Sequence, residues 1–343
     1  MEISCPKLAM SELALKLHST TCQPCIFHVN RNHHIVLMEQ TLFQPANGKV
    51  PLSPSPDFIL PKDKRPLLSQ VSKLATIPII NMEDEDGHGL SSSLVKKISQ
   101  ASEECGFFQI INHGVPKELS ESMMSAITEF FNLPPEERAE LFTEDMTKPV
   151  RLLKANWRKR PLRGVRPFLT LGILLMISAI CYPEILPNIA EYAKEIGVLM
   201  KRLLSLISQG LGLDKDCIQK RLGESPRLSQ ANYYPPCPDP ELTLGLAVHT
   251  DLNALTILRQ SRGVTGLQVV KDGQWVSVDS IPILSSILMM EGTRVHHRAV
   301  TNKDLHRVSL AIFYGPNKDS IIGPIEDLID EEHPPAYRIC RVS

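Results

Sequence analysis

From Ala231 to Tyr314 the chain is built of short β-type runs punctuated by turn residues, and no other stretch narrows the possible folds so far. Ala231-Asn-Tyr-Tyr234 is followed by Pro235, Pro236, Pro238 and Pro240, none of which can donate to a sheet ladder. Gly245–Leu258, Gly266–Val270, Gln274–Val278, Arg298–Val300 and Val308–Tyr314 then supply runs rich in β-branched and aromatic residues.

The preceding half mixes in helical spacing. After a short strand at Ile77–Ile80, serines 91 to 93 cap a helix carrying Leu94, Val95, Ile98, Ala101 and Cys105 on one side, and Gly106 stops it. Phe107–Ile111 is a strand closed by Asn112-His-Gly114, where His113 is read as turn chemistry rather than catalysis. Leu119, Met123, Ile127, Phe130 and Phe131 mark a second helix after Pro116, and Leu133–Glu137 starts another. Ile189, Tyr192, Ile196, Leu199, Leu203 and Ile207 mark a long amphipathic helix ending at Gly210. Helices first and short strands afterwards predict an α+β protein with a mainly β core, a sandwich or barrel with helices on its outside.

The 343 residues, 43% apolar and 22% charged, suit one large or two modest globular domains. Because 37 basic residues are balanced by 38 acidic ones without a single-sign block, no nucleic-acid partner is indicated. The eight cysteines are too scattered for a disulfide framework, so free thiols and a cytoplasmic location are expected. No secretory signal opens the chain, although Glu2, Glu12 and Glu39 are the only acids before residue 57, which leaves a transit peptide as the other reading of the start. Cys22 and Cys25, with His28, His33 and His34 nearby, lack the second half of a zinc finger and are read as part of a flexible extension.

Between residues 151 and 183 a basic stretch runs into the apolar segment Phe168–Tyr182. That segment is shorter than the roughly 20 residues a membrane span requires, so a buried helix or strand pair is expected and membrane attachment is the weaker alternative.

Within the strand-rich half, His249 is the only histidine with an acid two residues on, Asp251. On an extended strand the two side chains share a face and could reach one metal ion. Two histidines and one carboxylate with open positions describe a non-haem Fe(II) site that activates O2. His296, His297 and His306 are the downstream candidates for the third ligand, and strand alternation lets only one of the first two point inward. Arg307 and Ser309 repeat the i, i+2 arrangement as a receptor for a carboxylate, which implies an acidic co-substrate.

Asn232-Tyr-Tyr-Pro-Pro-Cys-Pro238, His249-Thr-Asp251, His297-Arg-Ala-Val300 and Arg307-Val-Ser309, preceded by Gly106-Phe-Phe-Gln and Asn112-His-Gly-Val115, resemble the plant 2-oxoglutarate and Fe(II)-dependent dioxygenases, an isopenicillin N synthase-like group. Within it the resemblance is strongest to flavanone 3-hydroxylase-like and downy-mildew-resistance-type oxygenases, over about residues 56–150 and 184–338. It implies a double-stranded β-helix, or jelly roll, with a helical N-terminal region. It implies His249, Asp251 and His297 as iron ligands and catalytic residues, Arg307 and Ser309 as anchors for the distal carboxylate of 2-oxoglutarate, and Tyr234 with Asn232 near its other end. Fe(II), 2-oxoglutarate and O2 follow as cofactor and co-substrates, with ascorbate in support. The expected activity is hydroxylation or desaturation of a small, aromatic or flavonoid-type specialised metabolite by a monomer without a membrane partner.

On this resemblance residues 1–55 are a poorly ordered extension, 56–225 the helical region with 151–183 divergent, and 226–343 a jelly-roll domain that ends early. Ser280–Met290 replaces the family's strand ending in Ile-Gly-Asp, so a barrel short of one core strand is expected as an alternative to a closed one. The companion expectation is a catalytically impaired splice variant or paralogue that keeps the fold and binds metal or ligand only.

Overall fold

The computed structural model describes residues 54, 58–72, 77–83, 92–143, 145, 150–154, 173–178, 188–223, 228–251, 253–281, 285–290, 295–317, 320–332, 334–335 and 338–342. The helices are α1 (Ser92–Glu104), α2 (Lys117–Asn132), α3 (Pro135–Arg138), α4 (Ile189–Gly210) and α5 (Cys217–Leu222). The first strands are β1 (Ile79–Asn81), β2 (Phe107–Ile111), β3 (Val150–Lys154), β4 (Ile173–Ser178), β5 (Leu228–Tyr234), β6 (Leu246–His249) and β7 (Leu255–Gln260). They are followed by β8 (Leu267–Lys271), β9 (Gln274–Val278), β10 (Ser285–Met290), β11 (His297–Ala299), β12 (Arg307–Tyr314), β13 (Ile321–Ile322) and β14 (Cys340–Arg341).

Eight strands form a large sheet in the order β1-β2-β10-β7-β12-β5-β4-β3, and four form a smaller one in the order β6-β11-β8-β9. Among the described strands β1–β2 is the one parallel pair. The chain has the double-stranded β-helix fold, and among the described residues these two sheets do not close into one barrel; β13 and β14 pair separately.

Strand alternation divides the protein into two packed layers. On β12, Val308, Leu310, Ile312 and Tyr314 join the large core with Leu94 and Ile98 of α1, Ile127 of α2 and Leu199 and Leu203 of α4. The intervening Ala311 turns the other way and packs with Leu258 of β7 and Phe107 of β2 against Leu267, Val269, Val276 and Val278 of the smaller sheet. Arg307 and Ser309 are also buried, on the same side as Ala311 by the two-residue period. The helices thus back the large sheet, while its opposite face looks onto the small sheet and carries the polar residues of interest.

One expectation changes. A strand does occupy the altered segment: β10 pairs antiparallel with β2 on one side and β7 on the other, so the large sheet has no gap there. Ladder pairing satisfies the backbone of Ser285–Met290 without the family's Ile-Gly-Asp ending. The helix that starts after Leu133 is present but short: α3 holds Pro135 in its first turn, where the missing hydrogen-bond donor is tolerated, and passes directly into a 3-10 turn at Ala139–Leu141.

The ambiguity near residue 170 resolves into strands. Residues 150–154 and 173–178 pair as β3 and β4 along the edge of the large sheet, while residues 155–172 lie outside the described set. The N-terminal extension, with Cys22, Cys25 and the nearby histidines, also lies outside it. Among the described residues no helix is long and apolar enough to cross a membrane, and Cys105, Cys217 and Cys237 are free thiols.

Candidate active site

Neighbouring strands of the small sheet bring two histidines face to face. His249 ends β6 and His297 begins β11, where the antiparallel register makes them direct partners. Asp251 lies two residues beyond the end of β6, so it reaches the same point from the following loop and not, as the sequence spacing suggested, from the strand itself. The ligand atoms of His249, Asp251 and His297 all lie within 4.8 Å of one another. Asp251 Oδ1 is 3.5 Å from His297 Nε2 and 3.8 Å from His249 Nε2.

Both rings are oriented from behind. His249 Nδ1 donates to the Ala247 carbonyl at 2.7 Å, and His297 Nδ1 to the Val295 carbonyl at 3.3 Å. A carbonyl only accepts, so each bond places the proton on Nδ1 and leaves an Nε2 lone pair toward Asp251. Burial, and then the neighbouring His297, push the His249 pKa down and favour the neutral ring. Burial alone would raise the Asp251 pKa, but His297, with smaller contributions from Thr256 and then His249, outweighs it and holds the carboxyl below the usual range. Phe107 of β2 meets the His297 ring edge-on with centroids 5.5 Å apart, which brings the large sheet up to the cluster.

His297 is buried and His296 exposed, as alternation requires. His306 is exposed and stacks on Tyr233, away from the cluster. His113 is buried in its turn, where its Nδ1 accepts from the Val115 amide at 3.3 Å.

A second polar group lies along β5, β12 and β7. Arg307 pairs with Tyr234 across one ladder, and Ser309 pairs with Asn232 on one side and Gln260 on the other. Asn232 Nδ2 donates to Ser309 Oγ at 3.4 Å, and Gln230 Nε2 donates to Asn232 Oδ1 at 2.8 Å. The Arg307 guanidinium carbon sits 5.1 Å from the centre of the Tyr234 ring. Burial lowers the Arg307 pKa and raises that of Tyr234, in each case partly offset by the other residue. A guanidinium remains charged even so.

Three residues of this group escaped the sequence reading. Gln260 Oε1 accepts from Arg307 Nη2 at 2.8 Å. Gly266 brings backbone against the Arg307 side chain, where an added Cβ would lie 2.6 Å from Cδ, and a Cβ at Gly245 would lie 2.6 Å from Tyr234 Cδ1. The available signals were a polar residue closing an apolar strand and a glycine opening one.

Sequence comparison decides what this arrangement belongs to. The profile of the 2OG-Fe(II) oxygenase superfamily matches residues 226–316, and that of the N-terminal region of non-haem dioxygenases in morphine synthesis matches residues 77–158. The downy mildew resistance 6 protein of Arabidopsis thaliana is 37% identical over 300 residues, covering 82% of this chain and 87% of that one. This chain belongs to the 2-oxoglutarate and Fe(II)-dependent oxygenases. Flavanone 3-dioxygenase 2 of Oryza sativa subsp. japonica is 36% identical, with 82% and 85% covered. The crystal structure of JOX2 in complex with 2OG, Fe and JA superposes with a TM-score of 0.73 at 29% identity, covering 93% of this chain and 91% of that one.

As an oxygenase of this family the protein uses Fe(II), 2-oxoglutarate and O2, and its buried polar atoms suit those groups. Asp251 Oδ2 is buried without a hydrogen-bond partner beside two imidazole nitrogens, a donor set matched to a divalent iron. Arg307 Nε and Nη1 are likewise buried without partners, which leaves an anion to be supplied by something that binds.

Proposed function

We propose that His249, Asp251 and His297 hold ferrous iron and that Arg307 and Ser309 anchor the distal carboxylate of 2-oxoglutarate, with Tyr234 and Asn232 completing the co-substrate site. The observation that carries this reading is the buried Arg307 cation with unpartnered Nε and Nη1, on the side of β12 that faces the small sheet, the sheet whose strands β6 and β11 carry His249 and His297. When bound, iron supplies the coupling of co-substrate decarboxylation to succinate with O2-dependent oxidation of a substrate C–H bond.

The chain's own residues bind and orient. Neutral Nε2 atoms and an ionised Asp251 are the forms that ligate a cation, and the bonds to Ala247 and Val295 carbonyls hold the rings ready. Arg307 compensates the far carboxylate in a setting from which water is largely withdrawn, which strengthens the charge-assisted bond. Ser309 presents a hydroxyl already engaged by Asn232, so its orientation is set before a ligand arrives.

We assign the primary substrate to small aromatic, flavonoid-type specialised metabolites, hydroxylated or desaturated by a cytoplasmic monomer. The support is the similarity to flavanone 3-dioxygenase 2. The same reading divides the protein near residue 225 into a helical region and the jelly-roll domain and assigns neither a nucleic-acid nor a membrane partner, on the near-equal counts of basic and acidic residues.

Succinate release from 2-oxoglutarate in a screen of flavanones, salicylate and other phenolic acids tests the assignment. Stimulation by a phenolic compound, abolished in Arg307→Ala while metal binding persists, is the expected outcome. Undiminished release from Arg307→Ala would sink the anchor. Binding of metal and 2-oxoglutarate without succinate under any substrate would favour an impaired paralogue.

A further inference from the structure

We infer that Gln260 is a positioning residue for the co-substrate: it orients the Arg307 guanidinium and, being neutral, leaves that charge for the incoming carboxylate. The inference rests on the reading of Arg307 as the 2-oxoglutarate anchor.

Gln260 is 3% exposed and closes β7, opposite Ser309 in the ladder to β12. Its Oε1 accepts from Arg307 Nη2 at 2.8 Å, and its Nε2 donates to the Val278 carbonyl on β9 at 3.4 Å. Only one orientation of the amide satisfies both contacts, because Arg307 has only donors and a carbonyl only accepts. Gln260 therefore ties the large sheet to the small one and fixes the guanidinium from the side. Gly266 limits its movement from another direction, since the Arg307 Cδ and Nε atoms occupy the space where a side chain would begin. The Tyr234 ring flanks it on a third.

The neutrality of the side chain matters as much as its reach. A carboxylate in the place of the Gln260 amide would sit within hydrogen-bond distance of the cation and far from competing water. It would then neutralise Arg307 internally, and a second carboxylate would meet a site with no net charge. An apolar side chain would leave Nη2 unpartnered and the guanidinium free to turn.

The test uses the full chain with Mn(II) in place of iron, so that no turnover occurs, and reads 2-oxoglutarate affinity by calorimetry in Gln260→Met, Gln260→Glu and Arg307→Met. Melting curves identify the variants that fold. Loss or exposure of one charge-assisted bond predicts 2-oxoglutarate binding about tenfold weaker in Gln260→Met and about a hundredfold weaker in Gln260→Glu, with Mn(II) affinity retained. In turnover the KM for 2-oxoglutarate rises in Gln260→Met while kcat at saturation holds, a split that a merely structural role would not give. Wild-type 2-oxoglutarate affinity in any Gln260 variant that folds overturns the inference. Wild-type affinity in Arg307→Met removes the anchor reading beneath it, and loss there with wild-type Gln260 variants overturns the inference alone.

Discussion

His249 and His297 stand opposite each other across the β6–β11 ladder, with ring centroids 4.1 Å apart. The pairing sets the separation of two nitrogens through backbone hydrogen bonds, and Asp251 closes the third side from a loop only two residues from its partner histidine. The ladder slips between His297 and Ala299, so the register is local to this pair. A β-bulge of this kind is a common way to aim a side chain beside a site.

Removing one member of the cluster should empty it. His297→Ala and Asp251→Ala are expected to lose metal affinity by at least about a hundredfold, since three protein ligands act as a chelate and second-line effects alone are worth about tenfold or more. Equilibrium dialysis with Mn(II) checks it, and His296→Ala, which alters an exposed neighbour, is expected to bind as the wild type does.

Gly266→Ala should damage co-substrate binding without touching a ligand. The new Cβ meets Arg307 Cδ at 2.6 Å and the Val300 carbonyl at 3.0 Å, while the Gly266 carbonyl is held by the Val300 amide. Overpacking of this kind costs about 1–3 kcal/mol, and the guanidinium is the softest neighbour. The expected result is a 2-oxoglutarate KM raised about tenfold or more with metal affinity unchanged; an unaltered KM would show that the contact is relieved elsewhere.

The residues proposed to hold iron and co-substrate stand out in the sequence because each sits in a short motif: His249 and Asp251 two apart, Arg307 and Ser309 two apart, His297 before Arg298. Their partners were not. Gln260 meets Arg307 across 47 residues of chain, and Gly266 meets it through a loop whose approach depends on both sheets. No local pattern encodes such contacts, because strand order in the sheet is not strand order in the chain. β10 was hidden for a different reason. Ser285–Met290 lacks the polar alternation that marks a half-buried strand, and a short apolar run reads equally well as helix. The helices α1, α2 and α4 were the most legible elements, since their buried residues keep the spacing of one face over two turns or more.

His113 gives the fold a pH dependence. Burial, then the nearby Arg259, lowers its pKa from 6.5 to about 4. An unfolded chain therefore binds a proton here that the folded chain refuses, and stability is complete above pH 6.5 and declines as pH falls toward 4. In His113→Gln that part of the decline should vanish. Melting temperatures of the two proteins between pH 7 and pH 4 should converge on acidification, and parallel curves would contradict the assignment.

Leu203→Ala tests the support that the helical layer gives the large sheet. Leu203 is fully buried in α4 within the core shared with β12. Truncation should cost about 2–5 kcal/mol by chemical denaturation, with the KM for 2-oxoglutarate of the folded fraction unchanged. A changed KM would mean that packing behind β12 reaches Arg307.

The most direct measurement of the central claim is anaerobic titration of the metal-stripped full chain with ferrous iron, with and without 2-oxoglutarate. One equivalent should bind to the wild type, more tightly when 2-oxoglutarate is present, and both the binding and the enhancement should disappear in Asp251→Ala. Full-affinity binding by Asp251→Ala, or iron binding indifferent to 2-oxoglutarate, would contradict an iron centre built from His249, Asp251 and His297 beside an Arg307 anchor.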